Sequence, residues 1–139
     1  MRIAPIDSSK LADTNQEFRT LMASDADWIV RSADDLRQLR EAGDNPFAKL
    51  PDNDFNEFLS SLKFNGGGVS TGHYRPLMAS LTLTDIDEVF ARFGMSRQLS
   101  KETLEAECVN GVCEFSFWSF CSHTCGSDLE TQPVTVIEA

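Results

Sequence analysis

Apolar residues recur at helical spacing in several stretches of the chain. The clearest predicted helix follows the capping candidates Asp52 and Asn53, because four apolar side chains then repeat at i, i+3, i+4 and i+7: Phe55, Phe58, Leu59 and Leu62. A second stripe begins after Thr84 and ends at Gly94: Ile86, Val89, Phe90 and Phe93. Weaker stripes over 13–22 and 32–39 bring the expectation to about four helices.

The most specific local signal is a β-hairpin in the C-terminal third of the chain. Asn110-Gly111 is the dipeptide favoured in two-residue type I′ turns, and alternating residues lie on both sides of it. The turn predicts a hairpin around 104–120, with Cys108 opposite Cys113. The segment 133–138 contains consecutive β-branched residues, and it predicts a last strand of the same sheet.

The predicted register divides the hairpin side chains between two faces. The Cys pair, Ala106 with Phe115 and Leu104 with Phe117 form an apolar face, which we expect to pack inward. The other face is mainly polar and carries Glu105, Glu107, Glu114 and Ser116. After Phe117 the alternation breaks, because Trp118 and Phe120 fall on the polar side, and this indicates a β-bulge or a helical turn.

These elements favour an α+β fold. We expect about four helices to pack on a small antiparallel sheet, which the hairpin around 104–120 and the strand at 133–138 form. An all-α domain with a Cys-rich tail is the alternative. A length of 139 residues and a hydrophobic content of 41% predict one globular domain over 1–139.

Charge is distributed unevenly along the chain. The formal net charge is -10, all twelve Lys and Arg residues lie at or before Lys101, and residues 102–139 contain seven acids and no base. A surface of this sign repels nucleic acid and anionic membranes, so we expect neither as a partner, and it attracts basic proteins. The N-terminus has no apolar segment of the secretory type, so we expect a cytoplasmic protein with reduced cysteines.

The four cysteines have the spacing C-x4-C-x7-C-x3-C, with His123 inside the last pair. Cys108 and Cys113 lie opposite each other in the predicted hairpin, within disulfide range, whereas Cys121 and Cys125 need some distortion to pair. A zinc site is a further possibility, with these ligands: Cys108, Cys113, Cys121, His123 and Cys125. An extended chain would separate Cys113 from Cys121 by ~26 Å, so one zinc ion requires a sharp bend between them.

Two motifs that resemble catalytic or metal sites have simpler structural explanations. Gly68-Val69-Ser70-Thr71-Gly72 matches the G-x-S-x-G pattern, but the nucleophile elbow requires a strand before its Ser and a helix after it. Here a predicted helix and a run of Gly precede the motif. The acids at 85–88 lie in the first turn of a predicted helix, where carboxylates cap backbone amides. The sequence therefore favours a non-catalytic protein.

Three functional hypotheses follow from these observations. The first is an interaction domain (an inhibitor, immunity protein, antitoxin or adaptor) that binds a basic protein partner without a cofactor. The partner-binding residues expected for it are Glu105, Glu107, Glu114, Trp118 and Phe120. The second hypothesis is a small metal-binding or thiol-redox domain that uses the Cys segment, with zinc as the cofactor. The third is a precursor peptide whose Cys-, Ser- and Thr-rich C-terminal segment is modified.

Overall fold

Six α-helices lie within residues 3–122 and 124–125, which are the residues that the computed structural model describes. They are α1 (Asn15–Met22), α2 (Ala33–Ala42), α3 (Pro46–Lys49), α4 (Asp52–Ser61), α5 (Leu83–Arg92) and α6 (Arg97–Thr103). The predicted apolar stripes are confirmed, since Phe55 and Phe58 of α4 and Val89 and Phe90 of α5 are buried. No helix in this part of the chain is both long and apolar enough to cross a membrane.

Side-chain caps fix where most of these helices begin. Ser32 caps α2 by accepting a hydrogen bond from the amide of Asp35, as the sequence predicts. Helix α5 begins two residues earlier than predicted, because its capping box is formed by Thr82 and Asp85. The carboxylate of Asp85 also contacts the ammonium group of Lys49 at 2.9 Å, so this acid joins α5 to α3.

A four-stranded antiparallel sheet completes the α+β fold, which confirms the predicted class. The strands are β1 (Lys63–Asn65), β2 (Gly68–His73), β3 (Leu104–Val109) and β4 (Val112–Cys121), in the order β1-β2-β4-β3. The sequence did not predict β1 and β2, which lie on either side of the first two glycines of the Gly run. Gly66 and Gly67 form their turn with φ of 63° and 94°, the left-handed geometry that a two-residue type I′ turn requires.

The C-terminal hairpin has the predicted turn and most of the predicted register. Asn110 and Gly111 have positive φ, and Val109, Cys108, Glu107 and Ala106 face Val112, Cys113, Glu114 and Phe115. The predicted pairing of Leu104 with Phe117 is wrong, because Leu104 faces Phe120 instead. Residues 116–119 therefore lie opposite Glu105 alone, and this is the bulge that the broken alternation predicts. The predicted strand at 133–138 and His123 lie outside the described residues.

Candidate functional site

The bulge of the hairpin is built around the carboxylate of Glu105. Glu105 and Trp118 both lie in the bulge, and both have left-handed backbones with φ of 60° and 63°. The carboxylate accepts a hydrogen bond from the backbone N–H of Trp118 at 2.8 Å and another from the hydroxyl of Tyr74. Glu105 was predicted to bind a partner, but both of its carboxylate oxygens are engaged inside the fold. Its position shows that it stabilises the bulge.

Tyr74 joins this bulge to the end of β2. Its backbone N–H donates to the carbonyl of Trp118 at 2.8 Å, and the two rings lie 5.7 Å apart. Burial of the Tyr74 hydroxyl raises its pKa well above its usual range, and the neighbouring Glu105 carboxylate raises that pKa further. The guanidinium of Arg75 lies 5.8 Å from the Trp118 ring centre, so one cation adjoins this otherwise acidic region.

Phe120 lies in the core of the protein. Its side chain is 0% exposed, and its ring lies 5.1 Å from that of Phe90 and 5.8 Å from that of Phe93. The prediction that Phe120 binds a partner together with Trp118 is therefore not compatible with its burial. The four-residue bulge is the reason, because it breaks the alternation on which that prediction rested.

The exposed apolar residues of the hairpin all belong to β4. Of six large hydrophobic side chains that are exposed in the described part of the chain, four lie on this strand: Val112, Phe115, Phe117 and Trp118. Phe115 and Phe117 are each 71% exposed, and their rings contact each other edge to face with centres 4.8 Å apart. The expectation that these two Phe residues pack inward is therefore wrong. Because side chains alternate along a strand, Val112 lies on the face opposite Phe115. We call the contacting pair, Phe115 and Phe117, the hairpin patch.

The hairpin segment contains acidic residues and no basic ones. Glu107 and Glu114 face each other across the hairpin, and residues 102–122 and 124–125 contain four Glu and no Lys or Arg. Glu114 is exposed and Glu107 is half-buried. Two of the three predicted acids are therefore at least partly open to solvent.

The four cysteines form two disulfides, Cys108–Cys125 and Cys113–Cys121. Neither pairing is the one that the spacing suggested. Each pair has a Cα–Cα distance of 5.7 Å. The bulge makes the second pair possible, because β4 turns back on itself between Cys113 and Cys121. The sulfur atoms of Cys108, Cys121 and Cys125 also lie within 4.8 Å of one another.

A short chain of polar contacts beside the bulge was not predicted from the sequence. The Nδ1 atom of His73 lies 2.7 Å from the hydroxyl of Ser119, and that hydroxyl lies 3.1 Å from the hydroxyl of Ser116. Ser119 is fully buried, so no substrate can approach it in this conformation. Ser70 is buried in β2 and donates to the carbonyl of Lys63, which excludes a nucleophile elbow at that motif.

Comparison of the chain with protein-family models, curated proteins and solved structures gives no match.

Proposed function

We propose that this protein is a non-catalytic interaction domain whose hairpin patch binds a basic protein partner. The observation that carries the proposal is the exposure of Phe115 and Phe117, whose rings contact each other on one strand. Exposed aromatic side chains supply much of the binding energy in protein interfaces. The described core has ample apolar material, so the exposure of two neighbouring Phe rings is not explained by folding.

Charge favours a basic protein over a second copy of this chain as the occupant of the patch. The chain has a net charge of -10, and the hairpin that carries the patch also contains Glu107 and Glu114. Two such hairpins would repel each other at close approach, whereas a basic surface would be attracted. Arg75, next to Trp118, adds a site for one carboxylate or aromatic group of the partner.

The partner can be identified by photo-crosslinking from the patch. A benzoylphenylalanine residue would replace Phe117 in one variant and Leu83 in a matched variant, since Leu83 is 70% exposed on α5 and lies outside the patch. A protein crosslinked from position 117 and not from position 83 would then be purified. We expect its contact surface to be basic.

Affinities for the purified partner then test the proposal quantitatively. We expect Phe115→Ser combined with Phe117→Ser to weaken binding by at least about tenfold, and Leu83→Ser to leave it unchanged. Glu107→Gln combined with Glu114→Gln should weaken binding at low salt, with a smaller effect at high salt because ions screen exposed charges. Glu105 stays unchanged, because its substitution would disturb the bulge.

Several results would overturn the proposal. Equal crosslinking from both positions would show that the patch has no selectivity. Crosslinking of one copy to another, together with a dimer in sedimentation experiments, would make the patch a self-association surface. Equal binding by the wild type and the Phe115→Ser, Phe117→Ser variant would remove the patch from the interface.

The paired cysteines bear on the other hypotheses. Stable disulfides persist mainly in oxidising compartments, so the two bonds weigh against the cytoplasmic location, which stays a prediction. The zinc hypothesis also stays a prediction, and it requires reduction first, because a sulfur in a disulfide has no thiolate to offer a metal. Alkylation of thiols in intact cells before lysis would show which state the protein has there.

A further inference from the structure

The two disulfides are close enough to act on each other. The sulfur of Cys121, from one bond, lies within 4.8 Å of both sulfurs of the other bond, those of Cys108 and Cys125. Cys113 is not a member of this group of three mutually close sulfurs. The four cysteines therefore have different positions: Cys113 is exposed, Cys121 is buried, and the other two are half-buried.

Backbone contacts that do not involve Cys113 hold the three neighbouring cysteines, and Cys121 itself pairs with Thr71 of β2. The amide of Cys108 donates to the hydroxyl of Thr71 at 3.1 Å, and the amide of Cys125 donates to the carbonyl of Ser122 at 3.1 Å. Ser122 is itself fixed to β2, since its amide donates to the carbonyl of Ser70 at 2.7 Å. Opening the Cys113–Cys121 bond consequently leaves the sulfur of Cys121 beside the remaining disulfide.

We propose that the two disulfides form one thiol–disulfide exchange site, in which Cys113 receives an external thiol and Cys121 relays the exchange inward. This inference stands apart from the proposed interaction function. Its substrate is an external dithiol, either a small molecule or an exposed cysteine pair of another protein. The proximity of Cys121 to both other sulfurs is the geometric basis.

The reaction balances as a sequence of thiolate substitutions. A thiolate of the external dithiol attacks the sulfur of Cys113, forms a mixed disulfide and releases the thiolate of Cys121. That thiolate attacks Cys108 or Cys125, forms a new bond to it and releases the other as a thiolate, which takes up a proton. The second thiol of the reductant resolves the mixed disulfide at Cys113. One dithiol is thereby oxidised to a disulfide, and the chain keeps one disulfide and gains two thiols.

Two variants, each with one cysteine replaced, test the relay as a matched pair. Cys113→Ser leaves the three close sulfurs, whereas Cys121→Ser leaves Cys113 with Cys108 and Cys125. Each variant has three cysteines and one free thiol. After equilibration at one alkaline pH, acid quench, alkylation and peptide mapping would identify the disulfides. We expect Cys113→Ser to populate all three pairings of its cysteines, and Cys121→Ser to lack at least one.

The wild-type protein provides a second test, which remains informative when a variant fails to fold. Treatment with a limiting amount of dithiothreitol and rapid acid quench should yield chains with a Cys108–Cys121 or a Cys121–Cys125 bond. Partly reduced chains that contain only native bonds would overturn the proposal. So would a Cys113→Ser variant that keeps Cys108–Cys125 alone, or equal populations of all pairings in both folded variants.

Discussion

Phe117 and Phe120 are the same residue type three positions apart in one strand, and we expect opposite consequences from truncating them. Phe120→Ala removes a fully buried ring that packs between Phe90 and Phe93. Phe117→Ala removes a ring that is 71% exposed. The comparison isolates the effect of the bulge, because it alone places one ring in the core and the other in solvent.

The expected losses of unfolding free energy follow from how deeply each ring is buried. Truncation of a buried Phe to Ala costs about 3–5 kcal/mol of unfolding free energy, because it removes apolar contacts and leaves a cavity. Substitutions of exposed residues usually change the unfolding free energy by no more than about 0.5 kcal/mol. Phe120→Ala would therefore remove a large fraction of the stability of a domain that has a total of roughly 5–15 kcal/mol.

Urea unfolding under non-reducing conditions measures this difference. With a slope of about 2 kcal/mol per molar urea, a loss of about 4 kcal/mol lowers the midpoint by roughly 2 M, while Phe117→Ala should leave it nearly unchanged. Near-equal losses in the two variants would contradict the burial of Phe120 and the register of Leu104 with it. A larger loss in Phe117→Ala would show that the alternation continues without a bulge.

Three further predictions concern the supporting interactions. Glu105→Ala should lower the unfolding free energy by about 1–3 kcal/mol in urea titrations, because it leaves the Tyr74 hydroxyl and an amide without their acceptor, whereas an equal loss in Glu107→Ala would contradict this role. A hydrogen bond from Lys49 lowers the pKa of Asp85 below its ordinary value of 3.8, so its stabilisation is present above that value and is lost as the pH falls through the folded pKa. Acidification should therefore lower the melting temperature less in Asp85→Asn than in the wild type. Identical dependence of the melting temperature on pH in the two proteins would refute the linkage. Native mass spectrometry without reductant should give a mass that is four hydrogens below the reduced chain, since two disulfides are present, whereas a mass raised by one zinc would contradict the pairing.

Features that depend on local sequence could be predicted without the structure. Asn110-Gly111 specifies its turn through backbone preference alone, and the helix stripes specify which faces are buried. The strands β1 and β2 could not be recognised, since β2 contains Gly68, Ser70 and Gly72 and lacks an apolar alternation. The break after Phe117 indicated a bulge, but its length was not encoded locally.

The candidate site was harder to predict from the sequence, because it depends on contacts between residues that are far apart in the chain. The role of Glu105 requires Tyr74, which is 31 residues away and reaches it only through the pairing of β2 with β4. The disulfide pairing likewise follows from the reversal within β4, and four cysteines allow three pairings that spacing cannot distinguish. The sequence pattern also selected Phe120 as an exposed aromatic residue, whereas the exposed rings of this strand include those of Phe115 and Phe117.

The bulge also separates the part of the hairpin that displays side chains from the part that builds the core. Two disulfides join residues 106–115 to Cys121 and Cys125, while Leu104 and Phe120 continue the packed sheet on the other side of the bulge. We therefore expect a change of side chain at Val112 or Phe115 to leave the core register unchanged. Residues 106–115 are therefore a segment in which natural variation or protein engineering can change exposed side chains with little loss of stability, much as it does in exchangeable loops on other rigid scaffolds.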